Sequence, residues 1–67
     1  MKVVNVTKRD NAIELYVKRP DKEDKRHFFA TLQSIAYLLN GDAFWSGASD
    51  EIAIVRFYLE EENNDGK

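Results

Sequence analysis

A chain of 67 residues is one domain. With no cysteine it has no disulfide, no thiolate zinc site and no thiol nucleophile, so a reducing, cytoplasmic setting is expected. The net charge of −2 hides an asymmetry: residues 1–27 carry eight basic and five acidic side chains, residues 28–67 two basic and seven acidic.

In chain order, Val4 and Val6 alternate with Asn5 and Thr7, the period of a half-buried strand. Lys8-Arg9-Asp10-Asn11 is turn-prone. Ile13, Leu15 and Val17 then alternate with Glu14, Tyr16 and Lys18, giving a second strand. Arg19-Pro20-Asp21 stops it, because proline lacks the donor a ladder needs. After the charged stretch 21–25, Arg26-His27-Phe28-Phe29-Ala30 reads as a short third strand.

Thr31 is the expected helix N-cap, with Leu32, Ile35, Ala36 and Leu39 at helical spacing behind it. Asn40-Gly41 supplies a left-handed residue to end a helix of two to three turns. Residues 42–49 read as a loop, despite Phe44 and Trp45. Residues 52–59 form the last strand: Val55, Phe57 and Leu59 point one way, Ile52, Ile54 and Tyr58 the other. The expected fold is α+β, a small antiparallel sheet with one helix on one face in the order β-β-β-α-β. It occupies residues 1–60, followed by a flexible acidic tail over 61–67.

Chemistry finds little foothold. His27 is the only histidine and reads as an edge-strand residue, since no second soft metal ligand exists. Ser34, Ser46 and Ser49 lack a nucleophile-elbow context, and three glycines make no phosphate loop. The expectation is a non-catalytic protein with no cofactor, no metal and no small-molecule substrate. No apolar run is long enough for a membrane span, and the first residues lack the apolar core of a signal peptide.

Three surfaces could bind a partner. The acidic one gathers Asp42, Asp50, Glu51, Glu60, Glu61, Glu62 and Asp65. Glu60 and Glu62 in an extended segment would stand about 6.7 Å apart on one side, and such a row of carboxylates can imitate a phosphate backbone. A solubilising tail is the simpler reading of the same residues. The aromatic one combines Phe44, Trp45 and Tyr58 with Tyr16, Ile52 and Ile54 on the side of the sheet opposite the helix, unless the loop folds back over them. Homodimerisation through that face is a further outcome. The basic one, Lys8, Arg9, Lys18, Arg19 and Arg26, would suit nucleic acid, against a sequence pI near 5.3.

In its pattern over residues 1–60, a few strands and one helix without cysteine and with acidic character, the chain resembles small phage-encoded host-takeover proteins. The resemblance implies a stoichiometric inhibitor of a host protein, some members being DNA mimics that block DNA-binding proteins, uracil-DNA glycosylases or CRISPR effector complexes. It transfers no individual residue. The expected function is therefore an inhibitor or adaptor that binds a host protein, a nucleic-acid-handling one in the DNA-mimic case. Its contacts would be Asp42, Phe44, Trp45, Asp50, Glu51, Tyr58, Glu60, Glu61 and Glu62.

Overall fold

The computed structural model describes residues 1–47 and 50–59. Strand β1 (Lys2–Arg9) and strand β2 (Ala12–Lys18) form a hairpin, helix α1 (Lys25–Leu38) follows, and strands β3 (Asp42–Trp45) and β4 (Ile52–Tyr58) close the sheet. All neighbours are antiparallel, in the spatial order β1-β2-β4-β3. The fold is α+β with one helix on one face, as the sequence pattern predicts. The order of elements is β-β-α-β-β, which corrects the expected β-β-β-α-β.

The reason for the difference lies at Asp24. Its carboxylate accepts from the backbone N–H groups of Arg26 and His27, both at 3.1 Å, and so caps a helix that begins at Lys25. Residues 26–30 are thus the first turns of α1 and not a strand, and Thr31 lies inside the helix, its hydroxyl donating to the His27 carbonyl at 3.0 Å. The earlier start lengthens α1 to 14 residues, about four turns. His27 sits exposed on the first turn, 3.6 Å from the Glu23 carboxylate.

The helix ends as a Schellman motif. Asn40 takes the left-handed conformation at φ 57°, the N–H of Asn40 donates to the Tyr37 carbonyl, and the N–H of Gly41 donates to Ala36 at 2.7 Å. Gly41 has a different task from a left-handed cap. A Cβ there would run into the Arg56 carbonyl oxygen, so only glycine lets the chain pass so close to β4 as it turns into β3.

Residues 42–45 then pair with β4, so the expected loop begins with a strand: Asp42 faces Arg56, Ala43 Val55, Phe44 Ile54 and Trp45 Ala53. Pairing alternates the side chains, sending Ala43 and Trp45 to the helix and Asp42 and Phe44 to the other face. The core is Phe28, Leu32 and Ala36 of α1 against Val17, Ala53 and Val55 of the sheet, with Trp45 and Phe57 partly buried around it. Each fully buried large apolar side chain contributes about 1.5–3 kcal/mol.

Two substitutions test this account. Gly41→Ala is expected to lower the thermal midpoint far more than Gly47→Ala, whose position is left-handed but opens to empty space. Asp24→Ala is expected to cost about 1 kcal/mol in urea unfolding, and Thr31→Val much less. A reversed order would return the N-cap to Thr31.

Candidate functional site

The expected acidic and aromatic residues do not converge. Trp45 lies on the helix side, stacked on Phe29 with ring centroids 5.0 Å apart and tilted against Phe28 at 5.9 Å. Alanine at position 53, directly across the ladder, leaves space for the indole. The Lys25 ammonium stands 5.8 Å from the indole centroid. The placement of Trp45 with Phe44 on the far face is therefore corrected: adjacent residues in a strand point to opposite sides.

Asp50 and Glu51 precede β4 and face cations, Asp50 at 3.6 Å from Lys25 and Glu51 at 3.8 Å from Lys18. Tyr58 is at the other end of β4, about 20 Å away along the strand. Asp42 and Phe44 lie at the far edge of the sheet, on β3. Glu60, Glu61 and Glu62, like the tail over 61–67, are outside the described residues. Within the described residues, the carboxylates form no row.

The face away from the helix is covered by its own side chains. Arg56 donates from Nε and from a terminal nitrogen to one oxygen of Glu14, each at 2.9 Å. The other Glu14 oxygen accepts from Thr7 at 3.3 Å and lies 3.5 Å from the Tyr16 hydroxyl. The guanidinium carbon also sits 5.0 Å from the Phe44 ring centroid. Beneath this lattice Ile54, the residue across from both Tyr16 and Phe44, is only 7% exposed. The hydrogen bond from Arg56 holds the Glu14 carboxyl below the usual carboxylate range, and Glu14 in turn raises Arg56. A hollow of about 220 Å³ beside the β1–β2 turn touches this cluster, smaller than the roughly 300–1,000 Å³ of small-molecule sites.

The basic residues divide into two groups. Lys8 and Arg9 are at the turn end of the hairpin; Lys18 and Arg19 are at its opposite end, with Arg26 on the first turn of α1. Arg19 is committed to the backbone, donating to the carbonyls of Asp50 and Glu23 at 3.1 Å. Lys18 faces Glu51. Lys2, Lys8 and Arg9, all on β1, form no ion pair among the described residues.

What sequence reasoning missed is on β1. The backbone of α1 approaches β3 and β4 but neither β1 nor β2. Val17 and Leu15 reach the core from β2, but among the described residues no element covers β1. The register places Val3 beside Val17 and Val6 beside Leu15, on the helix side, yet Val3 is 49% and Val6 56% exposed. A bulge between Val3 and Asn5 breaks the expected alternation of Val4 with Val6. The outer edge of β1 has no neighbouring strand among the described residues. A second apolar area, Tyr37 and Leu38, is about four-fifths exposed at the end of α1.

No helix is long and apolar enough to cross a membrane, and no cluster of metal-binding side chains occurs, among the described residues. The chain matches no known family, no characterised protein and no solved structure.

The Glu14–Arg56 pair gives a pH prediction. Because Glu14 is lowered in the folded state, its stabilising contribution is present above the ordinary carboxylate pKa and is lost as pH falls through the lowered value. Glu14→Gln should lower the melting temperature at pH 7, and the gap to the parent should narrow as the pH is taken down below the ordinary carboxylate range. A gap that persists undiminished in acid would mean that the ion pair is not its source.

Proposed function

We propose that this chain is a non-catalytic protein-binding module, acting as an inhibitor or adaptor through the part of its sheet that α1 leaves bare. The observation that supports this most is Val3 and Val6. They stand half exposed beside Val17 and Leu15 on the side of the sheet where a second helix would ordinarily lie. Exposed apolar side chains scattered singly are normal, whereas adjacent ones on a regular, pleated surface favour docking. The sheet supplies a rigid platform, so little conformational entropy is lost when a partner settles on it.

The surface differs from the one expected from sequence. Trp45 is spent on the core and Asp50 and Glu51 face lysines, which leaves Tyr58 and the β1 valines as the exposed contact groups. The DNA-mimic form of the reading needs Glu60, Glu61 and Glu62 to supply the phosphate-like row by themselves, since the described carboxylates are dispersed.

Affinity capture from the source lysate tests the proposal. The double variant Val3→Ser, Val6→Ser, on an exposed strand and thus expected to fold, should lose the proteins retained by the parent. Leu38→Ser should retain them. An unchanged set of captured proteins with the β1 variant, alongside loss with Leu38→Ser, would move the contact to the end of α1 and overturn the assignment to β1.

A further inference from the structure

The partner's chemistry can be taken one step further, on the premise that the chain binds protein through β1. We infer that β1 receives an extended, acidic segment of the partner, which pairs with its outer edge as a fifth strand of the sheet.

Three observations on β1 lead there. All eight of its residues are exposed, and its outer backbone edge has no strand beside it among the described residues. An edge of this kind holds N–H and C=O groups in the geometry that strand addition uses, so backbone hydrogen bonds supply affinity and side chains supply selection. The second observation is charge. Lys2, Lys8 and Arg9 lie on this strand and have no ion-pair partner among the described residues, in contrast to Lys18, Lys25 and Arg56. The third is the mixture of apolar and cationic groups along one strand. Val3, Val6 and Lys8 lie on the helix side beside Val17, Leu15 and Ile13, whereas Lys2, Thr7 and Arg9 share the opposite face with Lys18, Glu14 and Ala12.

The same features argue against a second copy of this chain. Antiparallel pairing of β1 with itself would bring Lys2, Lys8 and Arg9 of both copies onto one ladder, where β1 offers no carboxylate to offset them. Like charges drawn together across a sheet pair destabilise it. Lysines and a bulge are also the devices by which natural edge strands discourage self-association. A strand bearing carboxylates turns that repulsion into attraction while keeping the backbone pairing. Its apolar residue opposite Val6 would extend the half-bare apolar area next to Leu15. The bulge between Val3 and Asn5 favours pairing along Asn5–Arg9, the regular part of the strand.

The experiment uses the full chain, isotopically labelled, and a capped octapeptide of alternating glutamate and valine as the probe. Backbone amide spectra and amide exchange are followed through the titration. The amides of Asn5–Arg9 are expected to shift and to exchange more slowly. Binding should weaken about tenfold in the variant Lys8→Glu, Arg9→Glu, and weaken in high salt as screening shortens. A lysine–valine octapeptide should bind at least about tenfold less well. Both substituted positions are exposed, and circular dichroism is the check that the variant folds.

Several results would overturn the inference. One is no shift at about 1 mM peptide. Another is equal binding of the lysine–valine peptide, or shifts confined to Tyr37 and Leu38. Shifts of β1 that grow with protein concentration alone would give the edge to a second copy. Shifts of β1 in the peptide-free variant Glu60→Gln, Glu61→Gln, Glu62→Gln would give it to this chain's own carboxylates. Stronger engagement of the same amides by oligothymidylate would make β1 a nucleic-acid site. A negative peptide result together with capture lost in the Val3, Val6 variant would leave protein binding intact and remove only the strand addition.

Discussion

The contact on which the rest depends is that of Phe28, Leu32 and Ala36 with Val17, Ala53 and Val55. Among the described residues six side chains form this interior, and all lie in or next to the β3–β4 half of the sheet. The helix that covers them has 14 residues. Its position follows from both ends: Asp24 fixes where it starts, and the Schellman turn at Asn40, with Gly41 pressed on the Arg56 carbonyl, sends the chain straight into β3. A helix joined so tightly to the edge strand β3 must lie over β3 and β4. It has no length of linker with which to move across to β1.

From that constraint come two unlike halves. The β3–β4 half is sealed, with Trp45 filling the room left by Ala53 on one side and the Glu14–Arg56–Phe44 group lying over Ile54 on the other. Glu14 reaches across from β2, so this group also ties the hairpin to the core half. The β1 half has backbone pairing to β2 but little side-chain burial. Small domains bury a modest share of their surface in any case, and here the bare part of the sheet lies on β1.

Much of this is legible in the sequence. The alternation in Ile13–Val17 and in Ile52–Tyr58 correctly divides those strands into two faces, because period two survives wherever a strand is paired on both sides. The hairpin turn and the proline stop are equally local signals. Arg26–Ala30 misleads because it has two phenylalanines in succession, a pattern that fits a strand or the buried edge of a helix. Only the cap at Asp24, one turn ahead of Phe28 where the buried stripe of the helix opens, decides between them. Phe44 and Trp45 look like one surface because nothing in a four-residue strand reveals its pairing. The bare edge of β1 is illegible for a deeper reason. Which strand is left at the edge depends on β4 inserting between β2 and β3, a choice made by tertiary packing and written in no single segment.

The charges on β1 acquire a meaning from that placement which composition alone does not give. In a chain of net charge −2, a basic N-terminal part looks like an argument for nucleic acid. In three dimensions the cations sort differently: Lys18 and Lys25 answer Glu51 and Asp50, Arg19 holds backbone carbonyls, and Arg56 is locked to Glu14. The set on β1 has no ion pair among the described residues; it is spaced along an open backbone edge and interleaved with valine. A phosphate backbone would use the charges and ignore the valines and the edge. A second copy would use the edge and the valines and be repelled by the charges. An extended acidic segment is the one occupant of the three that uses all of these features.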